Sequence, residues 1–169
     1  SKGLSLVEHD AQRGLDADYA LICYGGNDSD YDWAAIAADP EGDHQPHTKR
    51  ETFRQTLESM LNVLYRQGVQ PVLMSLPPID PRRYLRFICR NGLDRNAILR
   101  WLGDEDMIYR HQELYSDTVT ELAYANNVPL IHVRQAFLAD HHMNDLLSAD
   151  GIHLTMDGYG KLFDTLANW

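Results

Sequence analysis

The apolar positions of this chain follow two patterns, one recurring near every 3.6 residues and one of short unbroken runs. Leu4, Val7, Ala11 and Leu15 are spaced for a helix, with Glu8, Asp10, Gln12 and Arg13 between them. This predicts an amphipathic helix over 4–15 that ends at Gly14-Leu15. Residues 18–24 (Asp-Tyr-Ala-Leu-Ile-Cys-Tyr) are apolar without alternation, as in a strand covered on both faces of a parallel sheet, and Gly25-Gly26 breaks the run. A short helix is expected over 33–38 and a polar loop over 39–50. Phe53, Leu57, Met60, Leu61 and Leu64 then line one face of a helix over 51–67, with Gly68 as its stop. Val69 to Leu76 reads as a second buried strand, closed by Pro77-Pro78.

The second half repeats the unit. Residues 81–102 read as one or two short helices broken near Asn91-Gly92, and their aromatic and apolar side chains suit core packing better than a lid. The same stretch, with Ile79 and Asp80 before it, is the expected substrate-facing segment. Met107, His111, Leu114, Tyr115, Thr118, Leu122 and Ala125 mark the longest helix, over 104–126, with His111 read as a packing residue. A third strand is expected over 128–133 and a short helix over 134–139. In the last helix Thr155 is placed to cap, and Tyr159, Leu162, Phe163, Leu166 and Trp169 form the expected buried face. Helix, tight turn and buried strand in repetition predict an α/β fold on a parallel sheet.

Composition narrows the functional classes. The 169 residues suit one domain, and a formal charge of -10 argues against nucleic acid and against an anionic membrane surface. No apolar run approaches the ~20 residues that span a bilayer. The two cysteines, Cys23 and Cys89, are too few for a disulfide framework, and Cys23 reads as a buried small hydrophobe. Cytosol is the favoured compartment. The chain opens at Ser1-Lys2-Gly3 without an initiator Met or signal sequence, which reads as a start inside a longer protein, so localisation stays open. Asp28, Asp30 and Asp32 alternate as in a calcium loop, but Trp33 and Asp39 stand where Gly and Glu are needed, and a solvated turn is the better reading. His44, His47, His141 and His142 form no ligand set, so neither metal nor cofactor is expected.

Two stretches carry chemistry. In Asp150-Gly151-Ile152-His153 a carboxylate three residues before an imidazole, just ahead of a helix, can set the imidazole as a general base and stabilise its protonated form. Tyr24-Gly25-Gly26-Asn27-Asp28 follows the first strand, where the Asn27 amide can stabilise an oxyanion. Sites in parallel sheets lie beyond the strands' C-terminal ends, which brings Asn27, Asp150 and His153 to one crevice. Taken singly, Asn27 also reads as a residue that tolerates a tight turn, and Asp150 as helix-entry chemistry with an incidental histidine.

Gly25-Gly26-Asn27-Asp28 resembles the Gly-x-Asn-Asp block of the SGNH (GDSL-type) hydrolases. Asp150-Gly151-Ile152-His153, followed by Leu154-Thr155-x-x-Gly158-Tyr159, resembles their C-terminal Asp-x-x-His block. The resemblance runs from Leu4 to the end. It implies a flavodoxin-like three-layer α/β/α sandwich, His153 as base, Asp150 as its orienting partner and Asn27 in the oxyanion hole, with Gly25, Gly26 and Asp28 supporting the loop. It also implies a lipase-like esterase that takes a small acyl ester, sugar-linked esters included, through an acyl-enzyme.

The departure from the family is as informative. No Gly-Asp-Ser occurs in the 169 residues, and the nearest look-alike, Asn27-Asp28-Ser29, belongs to the Asn block. Ser75 lies in a strand run and Ser148 beside the dyad, and there is no Gly-x-Ser-x-Gly elbow. By resemblance the nucleophile block, the oxyanion glycine block and two of five strands should precede residue 1, leaving residues 1–169 as one incomplete domain with the third, fourth and fifth strands. The outer edge of strand 18–24 would then be open to self-association, and the piece poorly stable and inactive alone. The parent reads as an ester hydrolase, with an acyltransferase on the same machinery as a near variant. A non-catalytic binding domain that kept the scaffold is the reading from another class.

Overall fold

The computed structural model describes residues 2–169. Its centre is a parallel sheet of three strands, β1 (Tyr19–Ile22), β2 (Gln70–Met74) and β3 (Leu130–Ile131), in the order β1-β2-β3. Leu21 pairs with Val72 and Leu73 with Leu130. Each strand follows a helix and a tight turn. These helices are α1 (Lys2–Arg13), α3 (Arg50–Arg66) and α6 (Asp106–Ala125), in that order.

Period-two alternation in β2 sorts the core into two layers. Leu73, with no exposed surface, points toward α3 and α6 and joins Phe53, Leu57 and Leu61 of α3 with Tyr115, Val119 and Leu122 of α6. Val72 and Met74 point the other way, to Ile131 and to Val133 and Phe137 of α7 (Val133–Leu138). Leu162 and Leu166 of α8 (Met156–Ala167) pack on that second layer. This is an α/β/α arrangement, the layering that the family resemblance implies.

A third apolar cluster lies beyond the strand ends. It joins α2 (Trp33–Ala38), α4 (Pro81–Ile88), α5 (Arg95–Leu102) and the first turn of α6 through Trp33, Ile36, Tyr84, Leu85, Ile98 and Ile108. Its helices start where the sequence supplies caps. The Asp32 carboxylate accepts from Ala35 N, Asp80 from Arg82 and Arg83 N, and Asp94 from Asn96 and Ala97 N. Cys89–Asn91 form a 3-10 turn after α4, and Gly92 ends it.

Four expectations are revised. The first strand is shorter than the 18–24 run and is not covered on both faces, because Tyr19 is 66% and Leu21 50% exposed. Cys23 lies past the strand end and is exposed rather than buried. The third strand is two residues long. Pro129 cannot donate to the sheet, and helix α7 takes over at Val133. On α8 only Leu162 and Leu166 of the expected face are packed, while Tyr159, Phe163 and Trp169 are exposed. Leu21 shares a sheet face with its partner Val72, so the uncovered side of β1 lies on the same layer as α8.

Candidate active site

Beyond β1 the backbone must turn sharply above the core. Gly25 does so with φ +134°, and a Cβ there would lie 2.9 Å from the Leu76 side chain and 3.1 Å from Phe53. Only glycine meets both demands. The turn that follows is tied internally by Ser29 N to Gly25 O (2.9 Å) and by Ser29 Oγ to Gly26 O (2.9 Å). The 39–50 loop holds it from outside, with His47 N donating to Asp30 O and Thr48 N to Asp28 O. His47 Nδ1 lies 3.1 Å from Asn27 O. The Asn27 backbone is thereby fixed, and among the described residues its side-chain amide meets no hydrogen-bond partner in the protein. Gly26 and Asn27 are exposed, and Asp28 is half-buried.

The second loop is organised by the Asp150 carboxylate. Oδ1 accepts from Ser148 Oγ (2.6 Å), Ile152 N (3.0 Å) and His153 N (3.1 Å), and Oδ2 faces His153 Nδ1 at 2.7 Å. Burial alone would raise this carboxyl. The bonds from Ser148, the His153 ring and the two backbone N–H groups outweigh it and hold the group well below the usual carboxylate range. Asp150 therefore stays charged, and its acceptance at Nδ1 directs Nε2 of His153 outward as the basic nitrogen. The imidazole is 72% exposed, against 16% for the carboxylate. Ser148, adjacent in sequence, is a donor to the carboxylate and does not address the imidazole.

Helix α4 clamps this loop. Gly151 has φ +80°, and a Cβ there would lie 2.6 Å from Asp80 O and 2.7 Å from Arg83 Cβ. Asp80 N donates to Gly151 O (2.8 Å), and the Arg83 guanidinium donates to Asn144 O (2.7 Å) and Leu147 O (3.0 Å). Thr155 caps α8 through Gly158 N at 3.1 Å.

Asn27 and His153 border one cavity of about 610 Å³. Its wall is the third apolar cluster, with Tyr31, Trp33, Tyr84 and Trp101 prominent. Asp30, read from sequence as part of a solvated turn, is instead the internal acceptor of this wall. It takes Trp33 Nε1 at 2.8 Å and Tyr84 Oη at 2.7 Å. Burial first, and then this carboxylate, pushes the Tyr84 phenol well above its ordinary value, so it remains a donor. His111 also lines the cavity. Its Nδ1 lies 3.3 Å from Tyr31 Oη, but Nε2 has no partner, so the residue is only half satisfied. Burial first, then the Arg50 charge, lowers its pKa.

Sequence reasoning missed Arg83 and Asp30, whose bonds to Asn144 and Leu147 and to Tyr84 span more than 50 residues, and no local pattern marks such contacts. Segment 81–102 divides between core and cavity wall, with Leu85 and Ile98 in the core and Tyr84 and Trp101 lining the cavity. Among the described residues no three His, Cys, Asp or Glu side chains converge so as to hold a metal ion. None of the described helices is long and apolar enough to cross a membrane.

The fold is thus a three-stranded parallel sheet between helix layers, with an Asp–His pair and an Asn turn beyond its strand ends. The GDSL-like lipase/acylhydrolase family model matches residues 3–161, and the chain belongs to that family. Among solved structures it is similar to a lipase/acylhydrolase from Enterococcus faecalis (20% identity, TM-score 0.60, covering 89% of this chain and 60% of that one). It is similar to a GDSL-like lipase from Bacteroides thetaiotaomicron (20%, TM-score 0.61, 98% and 67%). It is also similar to a mutant of an acetyl-xylooligosaccharide esterase from Geobacillus Stearmophilus (14%, TM-score 0.61, 98% and 66%). The chain thus spans about two thirds or less of these proteins' lengths. No curated protein matches it.

Proposed function

We propose that this chain supplies the base and part of the oxyanion hole of a serine ester hydrolase. The nucleophile is contributed by a segment outside these 169 residues. In this reading His153 Nε2 takes the proton of a serine hydroxyl as that oxygen attacks an ester carbonyl. Asp150 holds the ring through Nδ1 and stabilises the imidazolium. The Asn27 amide donates to the oxyanion of the tetrahedral intermediate, and Gly25, Gly26 and Asp28 form the turn that presents it. Collapse expels the alcohol, protonated by His153, and leaves an acyl-serine. Water, deprotonated by the same histidine, then releases the acid and restores the hydroxyl.

One observation carries the reading: the 2.7 Å Asp150–His153 contact borders the same cavity as the unpaired Asn27 amide. The test is hydrolysis of p-nitrophenyl acetate by the longer parent. Asn27→Ala should lower kcat by about 10²–10³ with little change in KM, as for removal of one oxyanion donor. An unchanged kcat contradicts the assignment.

We further propose that the open side of β1 is where the remaining strands of the domain pair. The exposed Tyr19 and Leu21, with Phe163 and Tyr159 of α8 on the same layer, support this. A non-catalytic binding domain is favoured by one observation, the lack of a Gly-Asp-Ser in this sequence. The upstream reading frame separates the two. A Gly-Asp-Ser within the preceding ~50 residues, about two βα units, supports the enzyme.

A further inference from the structure

The wall of the cavity divides by chemistry. Asn27 and His153 are exposed and stand at its mouth, whereas Trp33 and Tyr84 are buried in its interior. Most interior polar groups are already bonded to one another; His111 Nε2, buried and without a partner, is an exception. Both Asp30 oxygens are taken by Trp33 and Tyr84. Gln112 donates to Pro77 O at 3.0 Å and accepts from Arg134 at 2.9 Å. Ser29 donates to Gly26 O, and Tyr31 meets His111. A hydroxyl-rich group entering here would lose the water of several hydroxyls and meet few open partners, His111 Nε2 among them, which is costly.

The interior instead offers aromatic edges and faces. Tyr31 is the hub, with ring centroids 5.6 Å from Trp33, 4.9 Å from Trp101 and 4.8 Å from His111, all at tilted or edge-on angles. Trp33 in turn meets Tyr84 edge-on at 6.2 Å. Flat rings prefer these offset and edge-to-face arrangements, and the cavity of about 610 Å³ is far larger than an acetyl group needs.

We propose that this cavity is a subsite for an aromatic group of the ester, held among Tyr31, Trp33, Tyr84 and Trp101 while the ester bond lies at the mouth beside His153. The substrate class is then an aryl or arylalkyl ester, and not an acylated sugar. The inference rests on the reading of this cavity as the ester site, but binding can be measured without hydrolysis.

The chain's three tryptophans suit the measurement. Trp33 and Trp101 line the cavity, and Trp169 is exposed at the far end of α8. Their indole N–H signals, assigned through Trp33→Phe and Trp101→Phe variants, can be followed by NMR in the longer parent carrying His153→Ala, so that the esters persist, during titration with benzyl acetate, methyl octanoate and mono-acetylated xylobiose. Benzyl acetate should move the Trp33 and Trp101 signals saturably, leave Trp169 in place and bind about tenfold or more tightly than either other ester. Trp101→Ala should abolish the Trp33 response. Phe163→Ser, on the exposed face of α8, should leave it intact and so separate the cavity from adventitious binding there. Equal or tighter binding of the sugar ester or the alkyl ester overturns the proposal, as does a response confined to Trp169. Failure here with a His153-dependent parent esterase would remove the subsite and leave the ester-hydrolase reading standing. Binding here with a parent indifferent to His153 would do the reverse.

Discussion

Gly151 shows how narrowly the dyad is held. Its positive φ and the 2.6 Å approach that a Cβ would make to Asp80 O leave no room for another residue. Gly151→Ala should destabilise the chain by about 1–3 kcal/mol, from backbone strain and a forced shift against α4. Thermal unfolding gives the cost, and the His153 ring signals should move with it. A substitution that changes neither would mean that the loop is not locked against α4. Two titrations follow from the same scale. Asp150 is depressed in the folded state, so its stabilisation is complete at neutral pH and is lost as pH falls below about 4 toward its folded value. His111 is also depressed, so the unfolded chain takes up its proton first and stability falls as pH drops below about 6.5. His111→Phe should flatten the pH dependence of unfolding below about pH 6.5, as read from denaturant midpoints, while an unchanged slope would assign that loss to other groups.

At the scale of elements, β2 is the keystone. Leu73 is fully buried between β1 and β3, and Leu73→Ala should cost about 2–5 kcal/mol in denaturant unfolding, as cavity-forming leucine truncations do. The helices and β2 were legible because their patterns are local. Five apolar residues at helical spacing before Gly68 need no tertiary knowledge to read. The Asp150–His153 stretch was legible for the same reason, since three residues of separation suffice to bring carboxylate and ring together. The exposure of Tyr159, Phe163 and Trp169 was not legible. A helical apolar face says that something covers it, and among the described residues no element covers these three side chains. The cavity wall was equally hidden, because Asp30 meets Tyr84 across 54 residues and Tyr31 meets His111 across 80. At β1 the open backbone and the exposed Leu21 favour pairing with another chain. Leu21→Lys should shift the sedimentation profile toward monomer, and a wild-type chain already monomeric and cooperatively folded would contradict an open pairing edge.

Taken whole, the molecule gathers its chemistry on one side of the sheet. Two turns, one after β1 and one before α8, meet across an aromatic cavity. One turn carries an amide with no protein partner, and the other an imidazole backed by a carboxylate that accepts four hydrogen bonds. On the proposed reading this imidazole has a use only when a serine hydroxyl is delivered to it, so the 169-residue chain should be nearly silent toward esters. The decisive quantity is kcat/KM of the longer parent for p-nitrophenyl acetate, with and without the His153→Ala substitution. Loss of about a hundredfold or more is expected if His153 is the general base. Equal values in the two proteins would show that this imidazole moves no proton in the reaction.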